Sequence, residues 1–158
     1  MDLCLVGSEM CIRDSSFPDR MPLICLYKST LNLMNVLNLN GDWKPLYALW
    51  ELQVLEEMGF GLDLKSCAVT DVTQDLIYVS PKTGRAVSRK AAGEWKERLL
   101  PLPSFLRNKF ETADHEDILD SLKTTGHFLS TWLADSLGDR QLPESRNRLI
   151  TRLKNTKK

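Results

Sequence analysis

Residues Cys67 to Ala91, CAVTDVTQDLIYVSPKTGRAVSRKA, decide how this chain is read. Leu76-Ile77-Tyr78-Val79 is rich in strand formers, Ser80-Pro81-Lys82-Thr83-Gly84 carries turn chemistry, and Ala86-Val87-Ser88 can return as a partner strand. The stretch therefore reads as a β-hairpin inserted between segments of helical periodicity. At its ends, Cys67-x-x-Thr70 and Ser88-x-x-Ala91 have the spacing of two Cys-x-x-Cys pairs, but only Cys67 is a thiol. One cysteine does not make a structural zinc site. No metal or other cofactor is expected, and the packing of Leu76, Tyr78 and Val87 is expected to hold the shape. Lys82, Arg85, Arg89 and Lys90 crowd the turn and the return strand, with no acid between Asp75 and Glu94. They form a local basic patch.

Working outward, the upstream segment carries Leu26, Tyr27, Leu31, Met34 and Leu37 at helical spacing until Asn38-Leu39-Asn40-Gly41 stops it. A second helix is predicted from about Pro45 to Met58, with Gly59 as the residue that ends it and with Tyr47 and Trp50 in the core. Downstream, a helix over about Ala91 to Leu99 is expected to turn Trp95 and Leu99 inward before Pro101 and Pro103 end it. Asp114-His115-Glu116-Asp117 opens the longest helix, its acids near the positive end of the helix dipole, and the apolar pattern runs to Leu137. Gly126 in its middle implies a bend or a close approach of another backbone. Pro143 starts a last helix through Leu149, Ile150 and Leu153, in a segment rich in Arg146, Arg148 and Arg152. The fold class is thus mainly α. It is a helical domain with a small β-hairpin, zinc-knuckle-like insertion that lacks its metal ligands.

The first fifteen residues stand apart. Cys4 to Asp14, CLVGSEMCIRD, reads as the one-frame translation of a transposase adaptor used in sequencing libraries, with Ser15 at the junction. Residues 1–15 are expected to be this artefact, and they are set aside from the fold. The domain plan is then a helical hairpin over 16–66, the metal-free knuckle over 67–91, and the remaining helices of the same domain over 92–158.

Composition bounds the function. The chain has 158 residues, 42% of them hydrophobic, which is enough for a sizeable core. Its 21 basic and 21 acidic residues cancel, so affinity for nucleic acid has to come from a local patch. No window approaches the ~20 apolar residues of a membrane span, and no membrane partner is expected. The four cysteines have neither metal-ligand spacing nor a disulfide framework, which fits a reducing, cytoplasmic compartment. His115 and His127 are too far apart along one helix to share a metal. There is no phosphate-binding glycine loop, no dinucleotide fingerprint and no HExxH. Enzyme activity is not expected.

Trp50-Glu51-Leu52, Gly59-Phe60-Gly61-Leu62-Asp63-Leu64, Tyr78-Val79-Ser80-Pro81-Lys82-Thr83-Gly84-Arg85-Ala86-Val87-Ser88-Arg89, Arg98-Leu99-Leu100-Pro101-Leu102-Pro103, Thr125-Gly126-His127-Phe128-Leu129 and Leu142-Pro143-Glu144-Ser145-Arg146 stand in collinear order. Together they resemble the bacterial RecO family of recombination mediators, in its helical C-terminal part. The resemblance covers nearly everything after Ser16. It implies a nucleoid-associated bacterial protein of DNA repair whose full form has an N-terminal OB-fold, for which this chain has no strands. It further implies binding and annealing of single- and double-stranded DNA, docking of the tail of single-stranded-DNA-binding protein, and support of RecA loading with RecR. The contact with RecR is in question without the OB-fold. Some family members hold zinc with four cysteines; here Cys67, Thr70, Ser88 and Ala91 stand at those positions. The candidate DNA-binding residues are Lys82, Arg85, Arg89, Lys90, Arg146, Arg148 and Arg152. The alternative is a protein-interaction-only helical module that takes an acidic, apolar peptide tail.

Overall fold

The computed structural model describes residues 24–108, 111–136 and 141–156. The adaptor-like segment and Leu137 and Gly138 lie outside them. Two helices, α1 (Ile24–Asn38) and α2 (Lys44–Glu57), form an antiparallel pair joined by a short polar turn in which Asn40 takes a positive φ. Pro45 sits in the first turn of α2, where its missing N–H costs no helical hydrogen bond. The pair is tied by Trp50, whose indole N–H donates to Thr30 Oγ1 at 2.9 Å. Tyr47 and Trp50 stack on each other with centroids 5.9 Å apart. Leu33 is buried, whereas Ile24, Tyr27, Leu31 and Met34 lie exposed on one stripe of α1.

The hairpin follows as expected. β1 (Leu76–Val79) and β2 (Ala86–Ser88) pair antiparallel, with a bulge between Leu76 and Tyr78. A third strand, β3 (Leu100–Pro101), pairs antiparallel with the other edge of β1, giving the order β2-β1-β3. Two residues ending in proline have no strand periodicity, and the sequence pattern passes over them; proline is tolerated there because the strand is an edge.

The link between β2 and β3 corrects the helix expected over 91–99. Ser88 takes extended φ/ψ and caps α3 (Arg89–Ala92), which starts earlier than expected and lasts one turn. Gly93 at φ +44 breaks it, and Gly93–Arg98 continues as a 3₁₀ helix. In that tighter winding Trp95 does not point inward. It is 62% exposed.

A 3₁₀ turn at Ser104–Leu106 buries Phe105 and Leu106. α4 (His115–Phe128) then starts with a capping box, in which Asp114 and Asp117 each accept the other's backbone N–H. The expected single long helix is divided. A π-helical segment, Leu129–Leu133, follows α4 and leads into α5 (Ala134–Ser136); α6 (Glu144–Asn155) is the last helix. One core joins these parts, with Leu55 of α2, Val79 and Ala86 of the sheet, Phe105 of the 3₁₀ turn, Leu122 and Phe128 of α4, and Leu153 of α6 all buried. The chain is mainly helical with a small antiparallel sheet.

Candidate nucleic-acid interface

The hairpin turn is held from below. Gly84 has φ +65, and a Cβ there would lie 2.7 Å from Trp132 Cη2 and 2.9 Å from Leu62 Cδ2. The turn thus rests directly on the π-helical segment and on the 59–64 loop, a close approach that only glycine allows. Asp63 N–H donates to Gly84 O at 3.0 Å, and Ala86 N–H to Asp63 O at 2.8 Å, so the loop lies along the hairpin like an extra strand.

The base of the hairpin brings the knuckle positions together through hydrogen bonds. Cys67 is fully buried, and its Sγ accepts the Ser88 N–H at 3.3 Å. Ser88 Oγ in turn accepts the Ala91 N–H at 3.3 Å. Burial acts to raise the Cys67 thiol, but hydrogen bonds from the Thr70 side chain, the backbone at Ser88 and Val69, and the Ser88 hydroxyl outweigh it. They bring its pKa from 9.0 down to about 6. Leu76 and Val87 are buried beside it and Tyr78 is half-buried. Among the described residues no group of three or more His, Cys, Asp and Glu side chains is placed to hold a metal.

The basic residues separate into classes. Lys82 and Lys90 are exposed and have no ion-pair partner among the described residues. Arg85 faces Asp63 at 3.4 Å and Asp71 at 3.7 Å, and Arg89 faces Asp75 at 3.3 Å. These acids come from the loop before the hairpin, so the acid-free window of the sequence is not acid-free in space. A cleft of about 460 Å³ beside the base is lined by Asp71, Asp75, Ser88 and Lys90 among others. On α6, Arg148 is exposed with Glu144 at 3.8 Å, and Arg152 is exposed.

Arg146 leaves the candidate set. It is turned inward, 9% exposed, with Nε donating to Glu51 Oε1 at 2.6 Å and Nη2 to Glu51 Oε2 at 2.9 Å. Nη2 also donates to Leu122 O at 2.7 Å, and Thr125 Oγ1 donates to Glu51 Oε2 at 2.6 Å. Burial would lower the Arg146 pKa, but the hydrogen bonds and charge of Glu51 raise it; burial and the Glu51 carboxylate push Tyr47 up to about 12. The guanidinium lies against Gly126, where a Cβ would be 2.7 Å from Nη1. Gly126 therefore makes room for a side chain, where the sequence points to another backbone or a bend. Glu51 is absent from the sequence-based candidates, yet a signal existed. Ala48, Glu51 and Leu55 share one buried stripe of α2, and an acid on that stripe calls for a buried cation.

The family model for the C-terminal region of recombination protein O matches residues 12–141. A DNA repair protein RecO from Ruegeria sp. (strain TM1040) is 51% identical over 138 residues, 87% of this chain and 57% of the relative. The RecO protein of Jannaschia sp. (strain CCS1) is 52% identical over 148 residues, 94% of this chain and 59% of the relative. That of Dinoroseobacter shibae is 45% identical over the same length, 61% of the relative. The chain thus spans somewhat more than half the length of the curated relatives it matches. No solved structure matches it. With the family model covering most of the chain, and the helices and hairpin in the expected order, this chain belongs to the RecO family and carries its C-terminal region.

Proposed function

We propose that this chain serves as the C-terminal part of a non-enzymatic DNA repair and recombination mediator, and that it contributes DNA contact through its hairpin. The observation that carries the reading is a pair of exposed lysines without an ion-pair partner among the described residues, Lys82 in the hairpin turn and Lys90 in α3, which continues from β2. Arg85 and Arg89 flank β2, and Arg148 and Arg152 offer a second basic face on α6. Clustered cations bind a phosphate backbone by releasing its counterions, without sequence preference. Binding and annealing of single- and double-stranded DNA, docking of the tail of single-stranded-DNA-binding protein, and support of RecA loading with RecR are the roles proposed for the full-length protein. No helix among the described residues is long and apolar enough to cross a membrane.

The second reading is a protein-interaction-only module for an acidic, apolar peptide, favoured by the exposed stripe of Ile24, Tyr27, Leu31 and Met34 on α1. Titrating the chain separately with single-stranded DNA and with such a peptide discriminates. Salt-sensitive DNA binding is expected on the first reading; peptide binding with no DNA signal at low salt refutes it.

A further inference from the structure

Trp95 is the residue that the core does not use. Its indole is 62% exposed on a backbone that is fixed at both ends. Upstream, α3 is capped by Ser88, and downstream Leu100 pairs with Val79. The register also fixes the path of the chain. Ser88, at the end of β2, lies opposite Leu76, the first residue of β1, while Leu100, the start of β3, lies opposite Val79, the last. The link from Arg89 to Leu99 therefore runs back along the sheet from its base to its turn end. It leaves Lys90 at the base and carries Arg98 toward the end where Lys82 sits, with Trp95 and Lys96 between them.

The 3₁₀ winding sorts these side chains. With three residues per turn, positions i and i+3 eclipse, so Trp95 and Arg98 share one edge, while Glu94 and Glu97 share another. The Arg98 guanidinium carbon stands 5.2 Å from the centroid of the Trp95 ring, a cation–π contact on the same edge. All six residues of the turn are exposed. An exposed indole with a cation at its ring, here Arg98, and a lysine next in the chain is an arrangement that takes an unstacked base, because every base has a π face and each is joined to a phosphate.

We propose that Trp95, backed by Arg98, is a base-stacking residue for single-stranded nucleic acid whose phosphates run along Lys90, Lys96 and Lys82. This rests on the DNA reading above and narrows it, since a duplex keeps its bases stacked and offers Trp95 nothing. The test compares wild type, Trp95→Ala, Trp95→Phe and a Lys82→Gln/Lys90→Gln variant on single-stranded and duplex DNA of equal length across a salt series. Trp95→Ala is expected to lose about 5- to 150-fold in single-strand affinity at unchanged salt slope and unchanged duplex affinity. Trp95→Phe is expected to recover most of that loss. Trp95→Ala binding single strands like wild type, while the lysine variant is weakened, overturns the stacking proposal alone. Equal loss on both DNA forms, or loss of acidic-peptide binding with DNA binding intact, also overturns it. A wild-type chain that binds no single-stranded DNA overturns the DNA reading itself, and stacking with it.

Discussion

Arg146 on α6 and Arg89 at the start of α3 each face a carboxylate, at 2.6 and 3.3 Å, yet their surroundings differ entirely. The Arg146–Glu51 side chains are 9% and 2% exposed; the Arg89–Asp75 side chains are 67% and 50% exposed. A pair in solvent is screened and contributes about 0–1 kcal/mol, so Arg89 can exchange Asp75 for a phosphate at little cost. A buried pair cannot be exchanged: removing one partner leaves the other charged and dry, at about 3–5 kcal/mol. The same residue type is thus structural in one region and available in the other. Burial, more than charge count, decides which.

The largest expected effect lies inside the protein. Glu51→Leu or Arg146→Leu alone is expected to lower stability by about 3–5 kcal/mol in urea unfolding, whereas the two together should lose less than either single change. Additive losses in the double variant would contradict the clamp. Next comes Gly126→Ala. Alanine favours the helix by about 1 kcal/mol, but its Cβ meets a guanidinium fixed by Glu51 and Leu122, so a net loss of about 1–3 kcal/mol is expected. In the Arg146→Leu background the same change should become neutral or stabilising, which a melting curve of the four proteins would reveal.

For the α3 cap the expected effect is smaller. Ser88→Ala removes the α3 cap and should cost about 0.5–2 kcal/mol, while chelator should leave the unfolding midpoint where it is. A lowered midpoint in chelator, or one zinc per chain, contradicts the metal-free account. The Cys67 thiol also makes stability depend on pH. Its folded pKa of about 6 lies below the ordinary 9.0, so the thiolate's contribution is complete above 9.0 and is lost as pH falls through about 6. Stability should therefore rise from pH 6 to 9, and Cys67→Ala should flatten that rise. Smallest of all, Lys82→Gln and Lys90→Gln should move stability by no more than about 0.5 kcal/mol in either direction.

What the sequence made legible follows from how local each feature is. The hairpin, the turn at Ser80–Gly84, the acid-rich start of α4 and the last helix rest on short-range pattern, and all are present. Trp95 reads as a core residue in sequence because a 3₁₀ turn carries no 3.6-residue period, and one glycine at positive φ resets the facing of the residues after it. Arg146 reads as one of the surface basic residues because its partner lies 95 positions away in the chain. No short window of the sequence contains both. The acids opposite Arg85 and Arg89 are hidden for the same reason, although Asp63, Asp71 and Asp75 are closer in sequence.

On the proposed reading the exposed cations of the hairpin turn and α3, and not the buried Arg146, meet the phosphate backbone. It is tested most directly by the slope of log affinity against log salt for single-stranded DNA, in wild type and in Lys82→Gln/Arg89→Gln/Lys90→Gln. Each cation withdrawn from a phosphate should reduce the slope by about 0.7. For these three substitutions the account predicts a slope shallower by about 2, with the unfolding midpoint preserved. An unchanged slope in a folded variant would contradict it.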